Sequence, residues 1–530
     1  MLKRFTLVFT AVLGIAGTLF SQGLGTIQGK IKDKGNGELL PFTSIIFEQG
    51  GIVKYKTESD FDGNYKVASV TPGLYNVKAS NAGYKTKQIN DFLVKSNIIN
   101  FLDIDLDVSD GNVLETVEIV TYTVPLIDKD GGPSGGTVTR DQIAKMPGRS
   151  AQAIANTIGG VASKDGSGDI TIRGARSDAN YYFIDGVKVR GSTNLPKSAV
   201  EEISVITGGM PANYGDATGG IISITTRGPS SKFFGGIEYV TSGYKFGEKT
   251  YGLDHYGYNL VEGSVSGPLL MKKDSTGKKV KPLIGFFVSG NYSNIVDNRP
   301  FVTDQYILTD STRADLLENP LRRNPITGTV LYNTDFLTSS DFRLVKYRYN
   351  AEAQSGSFAG KLDFSLGPQI TLTFGGSGDF NKGRAYSYDN MLFNSSNNGM
   401  SRDYTVRAYG RFIQRFSNKQ AEGEGKKKGI SNAYYSLMVD YQRTSSKNYD
   451  PKHLDDIFKY GYVGRFTTYR EKSYGLLMLP SGTGVLEHNG YRDTLVSFDP
   501  NPDFDGDGNS DNPNQDLAAI TSQYYTFFTD

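Results

Sequence analysis

Between residues 432 and 442 the polar side chains Asn432, Ser436, Asp440 and Gln442 fall on even positions, while Ala433, Tyr435, Leu437, Val439 and Tyr441 fill the odd ones. A period of two puts the two sets on opposite faces of an extended strand, so one face can meet lipid while the other stays wet. The same alternation runs through 369–374, with Ile370, Leu372 and Phe374 set against Gln369, Thr371 and Thr373, and through 361–366. Strands of soluble sandwiches alternate too. Length separates the cases, because a strand that crosses a bilayer needs about 9 to 11 residues. Several segments reach that length, and the sequence predicts seven barrel strands, at 232–241, 256–268, 283–293, 349–366, 369–380, 402–416 and 430–449. After the first 20 residues no run of 18 apolar residues occurs, so no transmembrane helix competes with this reading.

Composition agrees with a mostly β chain. Gly supplies 63 of 530 residues, about 12 % against the usual ~7 %, and Tyr (33) with Phe (30) matches it, so turn formers and aromatic strand residues are both abundant. With no Trp, an interfacial aromatic girdle has to be built of Tyr and Phe. The net charge of +1 offers no polyelectrolyte attraction and argues against nucleic acid as a partner. Zero Cys removes disulfides, thiolate metal sites, thiol nucleophiles and a lipoprotein anchor, and only His255, His453 and His488 remain for histidine chemistry. No HExxH, GxSxG or GxxxxGK[ST] motif is present, so no enzyme is expected.

Lys3 and Arg4, the apolar run 5–20 and the short polar exit Ser21-Gln22-Gly23 have the form of a signal peptide over 1–22. A retained membrane anchor is disfavoured because the run lies at the short limit for a span. Export without Cys suits a bacterial envelope protein better than a small secreted scaffold, which would need staples.

Residues 23–108 alternate short apolar segments (26–31, 43–47, 64–67, 74–79, 98–106) with turn signals such as Asp60-Phe61-Asp62-Gly63 and Thr71-Pro72-Gly73, which predicts a β-sandwich. Turn geometry alone explains the acidic residues around Gly63. This stretch resembles the carboxypeptidase-regulatory-like domain, a transthyretin-like sandwich of exported Bacteroidetes proteins, in Gly29-Lys30-Ile31-Lys32-Asp33, Pro41-Phe42-Thr43-Ser44-Ile45, Asp62-Gly63-Asn64-Tyr65, and Gly73-Leu74-Tyr75 with Gly83-Tyr84. The resemblance implies packing or docking without catalysis.

Residues 109–136 form a polar connection around one extended island, Leu114, Glu115, Thr116, Val117, Glu118, Ile119, Val120 and Thr121. Its β-branched residues favour extension and Pro125 stops a helix. Locally it reads as a strand without a sheet: a linker, an edge strand of the next domain, or a peptide that adds to a partner's sheet. The run Gly131-Gly132-Pro133-Ser134-Gly135-Gly136 reads as a flexible hinge, since it has no phosphate-binding context.

From 137 to 230 two short helices broken at Pro147-Gly148 and strands near 169–173, 181–184, 202–207 and 220–226 predict an α+β domain. Four ordered motifs there resemble the plug of TonB-dependent receptors. They are Ile170-Thr171-Ile172-Arg173-Gly174, Tyr182-Phe183-Ile184-Asp185-Gly186-Val187, 200–208 with Glu202 and Gly208, and 213–226 with Tyr214, Gly215, Gly219 and Gly220. The glycines suit a domain folded inside a barrel, which needs tight turns and close backbone approaches. With the N-terminal sandwich, the chain is similar to Oar-like TonB-dependent receptors of the outer membrane. The resemblance implies that Glu115, Thr116, Val117, Glu118, Ile119, Val120 and Thr121 are the TonB box, that TonB and its ExbB-ExbD motor are partners, and that an unidentified ligand is imported through a barrel seated in outer-membrane lipid. The sandwich would then be periplasmic. A SusC-like glycan importer with a surface lipoprotein partner is the nearest alternative, although Ala217-Thr218-Gly219-Gly220 departs from that pattern. A surface adhesin or structural β-protein is the alternative from another class.

Residues 231–530 are expected to be the N-terminal part of an incomplete barrel, because such transporters close at about 22 strands. Parity places 294–348 and 449–530 on the cell surface and the short connections near Pro268 and Pro368 in the periplasm. The lysines at 272, 273, 278, 279 and 281 read as a solvated hairpin end. In the last surface segment Asp503, Asp505, Asp507 and Asp511 stand at positions 1, 3, 5 and 9 of a loop with Gly508 and, at position 4, Gly506. Oxygen ligands at that spacing can converge on one hard cation, so a calcium loop is expected, although Asn514 replaces the bidentate Glu at position 12. No other cofactor is implied.

Overall fold

The computed structural model describes residues 24–96, 98–109, 117–122, 134–163, 169–189, 192–210, 214, 218–252, 255–273, 279–366, 369–416 and 433–529. The signal peptide, Leu114, Glu115, Thr116, Gly215 and Pro368 therefore lie outside the described residues.

The N-terminal domain is a two-sheet sandwich of β1 (Gly25–Asp33), β2 (Ser44–Gln49), β3 (Ile52–Glu58), β4 (Asn64–Val70), β5 (Gly73–Ser80), β6 (Thr86–Val94), β7 (Ile99–Phe101) and β8 (Ile104–Leu106). One sheet has the order β4-β1-β7 with β8 also on β1, and the other runs β3-β2-β5-β6. Ile27, Ile31, Ile45, Phe47, Tyr75, Val77, Phe92 and Leu106 fill the space between them. Two strands were not legible in the sequence. β3 carries Lys54 and Lys56 between its apolar residues, and in β6 a bulge around Asp91, whose φ is +59°, breaks the two-residue period.

The island before the plug is the main departure from expectation. Val117–Thr121 is a strand, β9, and it has a sheet: it pairs in parallel with β6, in the register Thr86↔Val117 to Asn90↔Thr121. Isolated local sequence cannot reveal this, because the partner edge lies about 30 residues earlier and a parallel neighbour needs no connecting turn.

The second domain contains β10 (Ser134–Thr139), α1 (Arg140–Lys145), α2 (Ala151–Ala155), β11 (Val161–Ser163), β12 (Ile170–Ile172), β13 (Tyr181–Ile184), β14 (Val187–Lys188), β15 (Val200–Gly208) and β16 (Ile221–Thr226). Its main sheet has the order β10-β15-β16-β13-β14. Gln142 accepts from the Thr139 N–H at 2.9 Å and Ser150 from the Ala153 N–H at 3.1 Å, which starts both helices on either side of Pro147-Gly148. The expected hinge is corrected here. Ser134, Gly135 and Gly136 belong to β10, and a Cβ on Gly135 would collide with the Val205 carbonyl oxygen, so that glycine serves close packing rather than flexibility.

Seven antiparallel strands then follow in sequence order as one sheet: Phe234–Thr241, Asn259–Lys273, Lys279–Ile295, Ala353–Ser365, Ile370–Ala385, Gly399–Phe416 and Ala433–Tyr449. Ile237, Tyr239, Val261, Val288, Phe358, Phe374, Val439 and Tyr441 are exposed on one face, while Ser266, Ser289, Lys361, Asp379, Arg407 and Arg411 are buried on the other. An apolar outside around a polar inside is the arrangement a lipid-facing barrel wall requires. Pro268 does not sit in a connection as expected. The second strand continues to Lys273, and Pro268 lies at a register shift, where a missing N–H is tolerated.

Beyond Tyr449 the structure adds a hairpin, Arg465–Met478 with Gly484–Asp499, and a helix, Gln515–Thr529, neither foreseen. Nearly every residue of Arg465–Met478 is exposed, so no buried face imposes an alternating pattern on the sequence.

Candidate functional site: the plug seat and the coupling strand

The plug is seated against the inner wall of the sheet, and the two share a core. Ile203, Ile222 and Ile224 of the plug pack in one cluster with Phe287 and Ala359 of the third and fourth spanning strands. Both faces of the central plug strands are covered: all of β16 and all but the last residue of β15 are buried, including the polar Glu201, Glu202, Ser204 and Ser223.

The polar centre of this seat is Asp185. Asp185 and Gly186, with φ of +51° and +85°, form the two-residue turn between β13 and β14, a geometry that favours Asp-Gly. The turn aims the carboxylate at the wall. Asp185 accepts from Lys361 Nζ at 3.1 Å, Tyr409 Oη at 2.9 Å, and the Thr226 N–H and Oγ1 at 2.9 and 2.5 Å, while Arg411 donates to its carbonyl oxygen. Burial pushes the Asp185 carboxyl up, but Lys361, the two bonds from Thr226 and Arg411 outweigh it and hold the group below its ordinary range. Removing one side of such a buried ionic set costs about 3–5 kcal/mol. A second clamp joins Arg149 to Glu262 at 3.2 Å and to Glu238 at 2.6 Å, and Glu262 also accepts from the Ser198 N–H at 2.6 Å. Arg407 donates to the Ser192 carbonyl oxygen higher on the wall.

The other plug-motif residues are distributed around this seat rather than gathered in one place. Arg173 and Gly174, with φ of +50° and +77°, turn the chain after β12, and Arg173 donates to Ser134 Oγ at 2.7 Å beside Gly208. A Cβ on Gly220 would strike Ile172, so only glycine lets β16 begin there; Gly219 lies against Ala179. Tyr214 is buried edge-on against Phe183, with centroids 5.1 Å apart. Glu202 faces the N-terminal domain. It is fully buried, Oε1 accepts from the Ser96 N–H and Thr225 Oγ1 at 3.4 Å each, and Oε2 has no hydrogen-bond partner among the described residues. Burial pushes its carboxyl up to about 8.

Sequence reasoning missed Lys361, Tyr409, Arg411, Arg149 and Glu262. The available signal was the odd-numbered series Arg407, Tyr409, Arg411, which places two cations on one face of a strand whose other face is apolar.

The N-terminal sandwich meets the wall at its rim. Lys54 Nζ lies 3.0 Å from Asp363 near the end of the fourth strand, with both side chains largely covered, and Arg415 near the end of the sixth donates to the Ser69 carbonyl at 2.8 Å while lying over the Tyr55 ring. β9 therefore hangs at the edge of a domain fastened to one end of the barrel wall.

At the plug's other polar surface a cavity of about 390 Å³ is lined by Gln152, Asp169, Asp178, Tyr182, Thr193 and neighbours. In the acidic loop, carboxylate oxygens of Asp503, Asp505 and Asp511 lie within 4.8 Å of one another. Asp507 is not in that group; it accepts from the Asn509 N–H at 2.7 Å instead. Bonds from the Gly508 and Gly506 N–H groups hold the Asp503 carboxyl below its ordinary range. Asn514, at the twelfth position, donates to the carbonyls of Lys459 and Tyr462.

A domain buttressed on a polar inner wall, preceded by a sandwich at the rim, is the build of a plugged outer-membrane barrel, and comparison with known proteins agrees. Residues 129–221 match the TonB-dependent Receptor Plug Domain and residues 26–107 the Carboxypeptidase regulatory-like domain, so the chain carries the plug domain of TonB-dependent receptors behind a regulatory-like sandwich, an outer-membrane build with both domains on the periplasmic side. Among curated proteins it is 27 % identical over 195 residues to the TonB-dependent transporter Oar of Myxococcus xanthus, covering 34 % of this chain and 18 % of Oar. It is also 27 % identical over 171 residues to the probable TonB-dependent siderophore receptor PirA of Acinetobacter baumannii, covering 29 % of this chain and 20 % of that protein. The aligned regions thus span about a fifth of the length of these relatives. The crystal structure of the A. baumannii siderophore receptor PirA aligns with 60 % of this chain and 45 % of its own at 15 % identity and a TM-score of 0.32. These relatives are transporters and receptors, not enzymes.

Proposed function

We propose that the chain belongs to an importer that moves a nutrient ligand across the outer membrane, driven by TonB and its ExbB-ExbD motor acting on the segment that contains β9. The observation that carries this reading is the ionic seat at Asp185. A plug held only by apolar burial would leave the barrel with exposed greasy surface when displaced, whereas a polar wall with lysine, arginine and tyrosine can be rehydrated when the plug is pulled. β9 stands between the sandwich and the plug, so force applied there reaches the plug through one short connection. The one relative named as a siderophore receptor suggests one ligand class. The cavity on the plug favours another, since Asp169 and Asp178 line it and no Lys or Arg does among the described residues, a setting that suits a hydroxyl- or amine-bearing ligand better than an anionic one. A glycan delivered by a surface lipoprotein fits that lining. We also read Asp503, Asp505 and Asp511 as ligands of a calcium ion that orders the outer loop.

The coupling role is tested with Val117→Pro. Strand addition tolerates many side chains but not a missing N–H, so this variant is expected to lose uptake while retaining ligand binding at the cell surface. Uptake at the wild-type rate would show that the segment is not the coupling strand.

A further inference from the structure

In a strand, the N–H and C=O of a given residue point to the same side and the side alternates from residue to residue. The Tyr122 N–H donates to the Asn90 carbonyl oxygen of β6 at 2.8 Å, so Tyr122 faces β6. By alternation Val120 and Glu118 face β6 as well, and the backbone groups of Val117, Ile119 and Thr121 point outward. Among the described residues β9 is the last strand of its sheet, so this outward row meets no further strand. Exposed edges are commonly guarded by lysine, proline or a bulge. None of these interrupts Val117–Thr121, its register with β6 is unbroken, and Ile119 and Val120 are exposed by 64 % and 38 %.

The inner side of β9 is fastened. Tyr122 packs edge-on against Phe92, with ring centroids 4.9 Å apart, and joins the sandwich core. Peeling β9 away would break five residues of pairing and expose that ring, whereas adding a strand to its outer edge breaks nothing. The rim contacts of Lys54 and Arg415 keep the sandwich on the side of the barrel where periplasmic partners meet it.

We propose that the periplasmic domain of TonB adds an extended strand to the outer edge of β9 while β9 stays paired with β6, so that the docking surface is the edge of the N-terminal sheet rather than a released peptide. This rests on β9 being the TonB-recognition segment. It gives the sandwich a role: it presents the recognition strand already extended, which removes the ordering cost a free peptide would bear on binding.

The chain has no Cys, so a single engineered pair can be addressed cleanly. Gln88→Cys with Ile119→Cys places two thiols on registered partners of β6 and β9, and a short thiol-to-thiol crosslinker then locks β9 in place. The receptor in detergent is titrated with purified TonB periplasmic domain before and after crosslinking. The expected result is an affinity within about twofold of the uncrosslinked protein; a loss of about tenfold, or 1.4 kcal/mol, would mean that β9 must leave β6 and would overturn the proposal. Thr121→Pro, which removes an outward N–H, is expected to weaken binding by about tenfold or more with crosslinking still efficient. Wild-type protein that does not bind TonB at all would instead remove the reading of β9 as a recognition segment, and this proposal with it. Self-association of the receptor that Thr121→Pro abolishes, without TonB binding, would assign the edge to a second copy and equally overturn it.

Discussion

Glu202 shows how much one residue's setting can matter. Its carboxyl is buried where the plug meets Ser96 of the sandwich, one oxygen has no partner among the described residues, and burial raises its pKa to about 8. A carboxyl whose pKa is raised on folding binds more protons in the native state than in the unfolded state through the interval between the two pKa values. The stabilising contribution is therefore complete below the ordinary value near 4.5 and is lost as pH rises through about 8. Thermal unfolding in detergent is expected to shift to lower temperature between pH 5 and pH 9, with the slope largely removed in Glu202→Gln. Equal slopes in the two proteins would show that Glu202 is solvated and ionised. Asp185 is the opposite case: also buried, but met by lysine, arginine, tyrosine and threonine, so it holds its charge.

At the scale of single elements, the same β-branched sequence that makes β9 extended leaves its partner open, and among the described residues the fold supplies β6 on one side only. The acidic loop poses a similar question. Asp503, Asp505 and Asp511 converge, and like charges that close repel unless a cation intervenes. Calcium is expected to slow proteolysis between 503 and 511 and chelation to hasten it, because an ion bound only to the ordered loop stabilises that state by mass action. Asp503→Asn with Asp505→Asn should abolish the difference and leave the seven-stranded sheet intact, since the loop contributes nothing to its ladder. Identical digestion with calcium and with chelator would leave only an acidic turn held by Asp503 and the N–H groups of Gly506 and Gly508.

Across the whole molecule three bodies meet pairwise: the sandwich on the rim of the wall, the plug on the wall's inner face, and the sandwich on the plug where Ser96 meets Glu202. The rim contacts are few and identifiable. Replacing Lys54→Ala together with Arg415→Ala removes the ion pair with Asp363, the bond to the Ser69 carbonyl and the cation over Tyr55. The sandwich has its own core around Ile27, Phe47 and Phe92, so it should stay folded while swinging free. Protease cleavage in the connection after residue 109 is expected to quicken several-fold with the sandwich's own hydrogen-exchange protection unchanged. Unaltered cleavage would mean that the Gly50–Ser231 and Ser96–Glu202 contacts hold the domain without the two cations.

By itself the amino-acid order determined what local periodicity and turn chemistry can determine. The two-residue alternation set the seven spanning strands and their apolar face, and Asp185-Gly186 set a tight turn. Pro147-Gly148 divided the helices, and the absence of Cys removed whole classes of chemistry. It said nothing about which strands would meet across long separations, because a hydrogen-bonded neighbour leaves no trace in a strand's own pattern. Only the tertiary structure put β9 beside β6, brought Lys361, Tyr409 and Arg411 to Asp185 from strands more than 170 residues away, and turned Gly135 from a hinge into a packing position. Those are properties of juxtaposition: the energy of a buried charge or an open sheet edge depends on what the fold places next to it.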